Sequence, residues 1–443
     1  MEIPTTRDEF QGAVSRLVEQ WTAEVWAEVV ERGAVDQADA WLRVHGGALL
    51  RQALGLALSA RSERDGVQGR CDCGGVLKFR QRRPFVVHSV LPGREVEVRL
   101  QYGQCEECRE GRMPLLRAMR TDPEGFTASL QQLALMAGVI EPYGPGSREL
   151  LERFAGVMVS PDKLQALVGE DGPRAEKFLE EVPLPATPRS DVADRSSAGE
   201  PGYVGIDGGM VFVDKRWQEV KLACLFSAGD RAVVSHERAE LLARQVVAVR
   251  GDPAALGHYL WPRAQAAGLA ERKVVVLGDG APWIWNLVAE HFPDRVEILD
   301  WYHADEHISA TARVVYGEGT DRAAAWRDQQ LERLLDDRVD EVIAALRFLA
   351  PHQRRAAKRV ALEELDGYLV KNRERMFYKT FRAAGYFIGS GSVESAVSHV
   401  VQQRMKRVGM RWHSQGADAM LALRSVYRST GAWDNFWRYR QAA

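Results

Sequence analysis

Long apolar runs are missing from this 443-residue sequence. None approaches the roughly 20 residues that a membrane-spanning helix needs. The opening segment, MEIPTTRDEF, has neither the basic nor the apolar part of a signal peptide. Cysteine is also scarce, with five residues in the chain. We therefore expect a cytoplasmic protein, whose reduced thiols are candidates for metal binding and not for disulfides.

A large net charge is absent as well, because the formal value is −2. That balance argues against a chain that binds polyanions over its whole surface. The charge is unevenly distributed, however, since residues 400–443 contain eight basic and two acidic residues. A phosphate backbone responds to local potential, so this segment is a candidate for DNA contact. A solvated helical surface would carry the same pattern.

The residue pattern and composition change several times along the sequence, and each change marks the start of a predicted segment. Helical periodicity, short strands, a Pro-, Ser- and Asp-rich stretch, and alternating strands and helices follow one another. The segments are an N-terminal helical region (1–65), a zinc-ribbon-like β hairpin (66–118), a helical region (119–182), a linker (183–201), the first part of a mixed sheet (202–302), an all-helical insertion (303–388) and a segment that completes the sheet domain (389–443). The predicted fold class is therefore α/β and multidomain.

Within these segments the pattern also predicts individual elements. The short helices of residues 119–182 fit a DNA-binding helix-turn-helix, although any small helical bundle would look the same. Strands are predicted at 76–81, 85–90, 95–102, 202–207, 210–214, 217–227, 231–236, 273–278 and 295–300, and helices at 252–268, at 282–292 and from 302. Three strands that can form a meander, followed by alternating helices and strands, predict a mixed sheet flanked by helices.

Four of the five cysteines occur as two pairs around the predicted hairpin. The pairs are Cys71-x-Cys73 and Cys105-x-x-Cys108. Each turn would present two sulfurs and the hairpin would bring the pairs together, as a tetrahedral zinc site requires. Such a site has no open position for chemistry, so we expect structural zinc worth on the order of 10 kcal/mol of binding free energy. Cys224 lies in an apolar strand and is predicted to be core.

Three acidic residues stand at positions where ligands gather in open sheets. Asp207 ends the first strand of the predicted mixed sheet, Asp279 ends a later strand, and Glu394 lies in the first turns of the helix after GSGS. Converging carboxylates would repel each other, so convergence implies bound metal. Each residue alone also fits a plainer interpretation, as a turn aspartate or as a glutamate favoured by a helix dipole.

The order of these acids, with a set of longer motifs, resembles a known family. The stretches GIDGG, LGDGAPWIW, ILDWYHADEH, IGSGSVESA and RMKRVGMRWHSQGADAMLALRSVY resemble the motifs of DDE insertion-sequence transposases of the Kra type. The resemblance covers roughly residues 70 to 440. It implies a ribonuclease-H-like core, with Asp207, Asp279 and Glu394 as catalytic ligands of Mg²⁺ or Mn²⁺. It also implies DNA cleavage with strand transfer, and a zinc-binding cysteine hairpin.

Other residues near these motifs are candidates for supporting roles. His303 and His307 share a helix face, but their spacing from glutamate is not that of a zinc metalloprotease. Asp300, at another strand end, and His303 are expected to support the acidic site through hydrogen bonds, with direct ligation by Asp300 as the alternative. The candidates for DNA contact are Arg404, Lys406, Arg407, Arg411, Trp412 and Trp283, the last with packing against the sheet as its alternative.

Together these features predict a Mg²⁺-dependent DNA transposase. Its partners would be transposon terminal repeats and target DNA, and it would act at the nucleoid as at least a dimer, because two ends must be held. Two alternatives remain at this level. One is a structure-selective nuclease on the same core, which cuts but does not join. The other is a non-catalytic DNA-binding protein derived from a transposase.

Overall fold

The computed structural model describes residues 3–33, 35–67, 71–93, 95–119, 121–181, 200–235, 238–269, 271–389 and 391–442. All but the last two residues of the predicted linker lie outside these ranges. The chain forms two compact units, Met1–Val168 and Gly169–Ala443. Within the described ranges, no helix has both the length and the apolar character to cross a bilayer.

The first unit combines helices with a small antiparallel sheet. Its helices are α1 (Arg7–Val25), a π-helical turn (Trp26–Val30), α2 (Val35–Asp65), α3 (Pro114–Met119), α4 (Ala128–Ile140), α5 (Tyr143–Pro145), a π-helix (Gly146–Ala155) and α6 (Pro161–Glu181), which continues into the second unit. Its strands are β1 (Leu77–Val87), β2 (Val96–Cys105) and β3 (Gly111–Arg112), in the order β1-β2-β3. α6 begins directly after Ser160, whose hydroxyl accepts the amide N–H of Lys163.

One long strand replaces the two short strands predicted at 76–81 and 85–90. β1 runs from Leu77 through Pro84 to Val87, with an irregularity between Phe79 and Gln81. The side chains from Lys78 to Pro84 are exposed, so the segment lacks the alternation that identifies a strand in sequence. Pro84 is compatible with this strand because β1 lies at the edge of its sheet.

The second unit is built around a five-stranded mixed sheet. Its strands are β4 (Gly202–Val213), β5 (Arg216–Ser227), β8 (Gln245–Arg250), β9 (Val274–Gly278) and β10 (Arg295–Leu299), while β6 (Arg231–Ser235) and β7 (Arg238–Leu241) form a separate ribbon. The spatial order is β10-β9-β4-β5-β8. β5 is antiparallel to both of its neighbours, and β4, β9 and β10 are parallel. The unit is therefore a mixed α/β structure.

The strands predicted at 202–207 and 210–214 form one strand, β4, and the strand predicted at 231–236 is present but does not belong to the main sheet. The segment predicted at 231–236 became β6, which pairs with β7 outside the main sheet. The third sheet strand is β8, in which Val246, Val247 and Ala248 are buried. Two serines at the end of the helix Ser414–Arg428 cover the free edge of β8. The hydroxyl of Ser425 accepts the amide N–H of Ala248 at 2.9 Å, and that of Ser429 accepts the amide N–H of Val246 at 2.8 Å.

Helices occupy the rest of the second unit, in agreement with the predicted all-helical insertion. They are α7 (Pro253–Ala266), α8 (Pro282–His291), α9 (Trp301–Tyr316), α10 (Asp321–Leu335), α11 (Val339–Leu349), α12 (Ala356–Asn372), α13 (Tyr378–Ala383), α14 (Gly391–Val397), a π-helical turn (Ser398–Gln402), α15 (Gln403–Met405), α16 (Ser414–Arg428) and α17 (Ala432–Ala442), with 3-10 turns at Ala228–Asp230, Ala350–His352 and Arg373–Arg375. The described part of 303–388 contains no strand.

Candidate active site and metal centre

Three aspartates lie at one level on three adjacent parallel strands. Ile206 of β4 pairs with Gly278 of β9, which in turn pairs with Leu299 of β10. The residues that follow these partners are Asp207, Asp279 and Asp300. Neighbouring strands are about 4.8 Å apart, so the backbones of the outer two aspartates are separated by about 10 Å. The strand register therefore builds an aspartate row, with Asp279 and Asp300 directly after β9 and β10 and Asp207 inside β4.

Asp207 is the member of the row that lies inside a strand. Its Oδ1 accepts the amide of Gly208 at 2.6 Å. Burial raises the pKa of its carboxyl, against that hydrogen bond and the opposing influence of His303. The carboxylates of Asp279 and Asp300 raise this pKa further. Asp207 is therefore a half-buried acid whose charged form is disfavoured by its neighbours, which is the environment that a bound cation would reverse.

Asp279 is fixed at both its side chain and its main chain. Its Oδ1 accepts the amide of Ala281 at 2.8 Å, and its carbonyl accepts the hydroxyl of Tyr368 at 2.9 Å. Gly280 has φ +95°, and a Cβ there would lie 2.8 Å from the amide nitrogen of Asn372. The hydroxyl of Tyr368 thus ties the turn after β9 to α12 of the helical insertion, and a side chain at Gly280 would clash with the same helix.

Asp300 is completely buried, and only one of its two carboxylate oxygens is hydrogen-bonded to the described residues. Its Oδ1 caps α9 by accepting the amides of Tyr302 and His303 at 2.7 and 3.2 Å. Its Oδ2 is buried and has no hydrogen-bond partner among the described residues. A buried carboxylate oxygen without a partner is costly unless a proton or a cation satisfies it.

Glu394 brings a fourth carboxylate from the late helix α14. Its side chain is exposed, yet the pKa of its carboxyl is raised, first by partial desolvation and then by Asp300. His303 lowers this pKa and Asp207 raises it. Glu394 therefore lies within electrostatic reach of Asp207, Asp300 and His303. Asp300 influences it more strongly than Asp207 does, which the sequence did not indicate.

The acidic side chains do not converge as tightly as the cysteines. Among the described residues, the four cysteines are the one group of three or more possible ligands whose atoms all lie within 4.8 Å of one another. The backbones of Asp207 and Asp300 are about 10 Å apart, so their carboxylates would have to turn towards each other, or towards a shared cation, to come as close as the thiols.

The histidines and tryptophans beside the row have different surroundings. His303 lies 3.9 Å from the carboxylate of Glu306, and the ring of His307 stacks on Tyr368 at 3.9 Å. Trp285 is buried, whereas Trp283 is half-exposed with the ammonium of Lys221 5.3 Å from its ring centroid. Of the two tryptophans after Asp279, only Trp283 presents surface to a ligand.

Arg404 was predicted to contact DNA, but it is buried in the structure. It is 1% exposed and its guanidinium lies 5.3 Å from the ring of Trp412, so it has no surface to offer a phosphate. Trp412 is half-exposed and donates its indole N–H to the carbonyl of Met405 at 3.1 Å. Lys406, Arg407 and Arg411 are exposed, as a DNA contact requires.

The four paired cysteines form a compact cluster at the base of the hairpin. The Sγ atoms of Cys71 and Cys108 are 3.5 Å apart, as are those of Cys73 and Cys105. Tetrahedral zinc with bonds of about 2.3 Å would hold its sulfurs about 3.8 Å apart. The backbone N–H of Cys108 lowers the pKa of the Cys105 thiol to about 7. This cluster could therefore bind a metal such as zinc, and the predicted C-x-C pair belongs to it.

Comparison with known proteins gives relatives without a functional name. No protein-family model matches the chain. The chain is similar to two UPF0236 proteins of Caldanaerobacter subterraneus subsp. tengcongensis, each 29% identical over 160 residues. Each match covers 36% of this chain, and 32% and 30% of the respective relatives, so the chain spans about a third of the length of the curated relatives it matches.

Proposed function

We propose that this protein is a metal-dependent DNA transposase of the DDE type. The observation that carries the proposal is the aspartate row, level on three parallel strands and joined by Glu394. The order of Asp207, Asp279 and Glu394 along the chain supports the same assignment. The reaction would be cleavage of a DNA strand at a transposon end, followed by joining of that end to target DNA.

The sheet topology supports a ribonuclease-H-like core. In chain order, the five strands of the main sheet lie in the spatial order third, second, first, fourth, fifth, with only the second antiparallel to its neighbours. The resemblance of the motifs implies the same arrangement. Asp279 and Asp300 lie just past the carboxyl ends of the fourth and fifth strands, where ligands bind in open α/β sheets, and Asp207 lies level with them inside the first strand.

The donor set suits Mg²⁺ or Mn²⁺. All four acids offer carboxylate oxygens, which hard divalent cations prefer. The Oδ2 atom of Asp300 has no hydrogen-bond partner among the described residues, and a bound cation would satisfy it. Burial, and after it repulsion from neighbouring carboxylates, raises the pKa of both Asp207 and Glu394, and a bound cation would offset both effects. When bound, such cations activate the attacking oxygen and stabilise the leaving oxygen of a phosphodiester.

The remaining groups would hold this site in place. Asp207, Asp279 and Glu394 would bind the cations, and Tyr368 and Asn372 fix the turn that carries Asp279. The cap at Asp300 orients the first turn of α9, and with it His303. The cysteine cluster would hold structural zinc, and the helices of 119–182 and the exposed cations of 406–411 would contact DNA. Two DNA ends require at least a dimer.

The test is an assay with labelled DNA. The DNA that flanks the gene supplies the candidate inverted repeats, and duplexes carrying them are incubated with the protein, a target plasmid and Mg²⁺. The proposal predicts cleaved ends and joined products, both abolished without the cation. Cleavage without joining would instead indicate the nuclease alternative, and binding without either product would indicate the non-catalytic alternative.

A further inference from the structure

The tip of the β4–β5 hairpin and the loop before α16 form one continuous surface. Two main-chain hydrogen bonds join them, from Trp412 to the carbonyl of Phe212 at 3.1 Å and from Asp214 to the carbonyl of Trp412 at 2.9 Å. A β-bridge pairs Val213 with Trp412 at the same place. The loop is therefore fixed to the hairpin by backbone pairing and does not depend on side-chain packing alone.

The hairpin tip is built to expose its side chains. Val213 pairs with Arg216, so Asp214 and Lys215 form a two-residue turn, and both have positive φ of 48° and 63°. Such a turn favours Asn, Asp or Gly, so Asp214 suits its position and Lys215 is the residue held under mild strain. Trp217 follows the turn and is 55% exposed, and it packs edge-on against Phe212 with ring centroids 5.5 Å apart.

Both cations and apolar side chains are exposed on this surface. Val408, in the loop before α16, is completely exposed, and Met210 on β4 is 41% exposed. The ammonium of Lys406 lies 5.7 Å from the centroid of the Trp217 ring. We call the surface the hairpin platform and define it by its exposed members Met210, Lys215, Arg216, Trp217, Lys406, Arg407, Val408 and Arg411.

We propose that the hairpin platform binds an unpaired DNA strand. Five cations provide charge complementarity to successive phosphates, and an open indole offers a face on which a base can stack. This combination is the one used for single strands, whereas a surface for duplex phosphates needs no exposed tryptophan. The inference rests on the proposed function, because that function supplies DNA as the substrate.

The position of the platform relates it to the aspartate row. Asp207 and Asp214 are seven residues apart in the chain along β4, which corresponds to about 23 Å at roughly 3.3 Å per residue. A stacked strand rises about 3.4 Å per nucleotide, so the platform would meet DNA about seven nucleotides from a phosphate held at the row. The bound strand would therefore be a flap or frayed segment next to the scissile phosphate.

The first experiment measures binding of a fluorescein-labelled single strand of about 16 nucleotides by anisotropy in the full-length protein. Trp217→Ala is expected to weaken binding roughly 5- to 150-fold, the range for loss of one stacked base, and Trp217→Phe to retain most of the affinity. Lys406→Ala with Arg407→Ala should lower the slope of log affinity against log salt by about 1.4. The matched controls are Trp261→Ala, an exposed tryptophan on α7, and Lys273→Ala, both of which should bind like the wild type.

The second experiment varies the length of single strand on either side of the cleavage site. When the single strand on one side of the cleavage site is lengthened from about 3 to about 10 nucleotides, the wild type should bind more tightly, and the same change on the other side should have no effect. Trp217→Ala should abolish that gain. Equal binding by wild type, Trp217→Ala and the double variant would overturn the platform while leaving the transposase proposal intact. If the platform substitutions weaken binding but the protein cleaves no DNA, the platform is supported and the transposase proposal is wrong.

Discussion

The first unit contains the cysteine cluster and the second unit contains the aspartate row. Each collects side chains of one type, but the spacing of those side chains differs. Four thiols lie within 4.8 Å of one another, whereas the aspartates are spread over three strands. Desolvation and hydrogen bonds with the neighbouring thiols raise the pKa of Cys108 to about 12, whereas a backbone N–H lowers the pKa of Cys105 to about 7, so the four thiols need not be charged together. The sheet register holds the backbones of Asp207 and Asp300 two strand spacings apart, and the neighbouring carboxylates add to the rise that burial causes in the pKa of Asp207.

The difference also separates two kinds of metal chemistry. A closed set of four ligands leaves a metal no position for substrate, which suits a structural role. A row with spare oxygens leaves room for water and phosphate, which suits catalysis. The predictions below test this contrast, starting with the largest expected effect.

Loss of one cysteine ligand should disrupt the hairpin and leave the second unit folded. Structural zinc contributes on the order of 10 kcal/mol, and the small core around Val67 and Leu77 is too small to replace it. Cys105→Ser should lose bound zinc by metal analysis and become sensitive to proteolysis between residues 71 and 112. Cys224→Ala, which removes a buried thiol from β5, should retain zinc. Full zinc content in Cys105→Ser would contradict the assignment.

Loss of the spare oxygen of Asp300 should have an intermediate effect. Asp300→Asn keeps the cap on α9 through its remaining oxygen but replaces the unpartnered oxygen with an amide. We expect Mn²⁺ affinity and DNA cleavage to fall by about 10- to 100-fold, the range for groups that support metal ligands. Asp294→Asn, an exposed acid at the opposite end of β10, is the control. An unchanged affinity in Asp300→Asn would exclude Asp300 from the site.

Neutralising Asp207 should stabilise the protein when no Mg²⁺ is present. Its pKa is raised in the folded state by burial, so the ionised form is destabilising above that pKa, and this penalty disappears as the pH falls through it. Asp207→Asn should therefore raise Tm at neutral pH, and the gain should shrink as the pH approaches about 4. Thermal scans in Mg²⁺-free buffer without chelator, which would also strip zinc, measure this. A destabilised Asp207→Asn at neutral pH would contradict the electrostatic account.

The smallest effect is expected at the clamp on the turn after β9. Tyr368→Phe removes the hydroxyl that donates to the carbonyl of Asp279 and should cost about 1 kcal/mol of stability. Cleavage should fall less than the loss of a ligand would cause, because Asp279 keeps its bond to Ala281. Tyr302→Phe changes an exposed ring and is the matched control. Equal Tm values for the two variants would show that the clamp contributes nothing.

The sequence predicted the ligand types better than it predicted their arrangement. The cysteine pairs were recognised because two short spacings around a hairpin leave few ways to place four sulfurs. Asp279 was predicted to follow a strand and lies directly after β9, whereas Asp207, predicted to end a strand, lies inside β4 because that strand continues to Val213. That Asp300 is level with them depends on the register of β9 with β10, which local pattern does not encode. Its influence on Glu394 depends on where α14 packs, which is equally non-local.

Two further differences also depend on contacts that a local pattern does not show. β8 has the apolar run QVVAVR that marks a buried strand, but it is six residues long and follows β6, which has the similar run RAVVS. Arg404 was predicted from a count of charges, and a count cannot distinguish a cation packed beside Trp412 from one that faces solvent. In both cases the missing information is which neighbour covers the segment.

The most direct test of the central claim is the cleavage and joining assay on Asp279→Asn beside Asp294→Asn. Both substitutions remove one carboxylate, but only the first lies in the aspartate row. The account predicts that Asp279→Asn loses at least about 100-fold in both products, the scale of removing one group that stabilises transition-state charge. Asp294→Asn should keep wild-type yields of both products. Full cleavage and joining by Asp279→Asn would contradict the account.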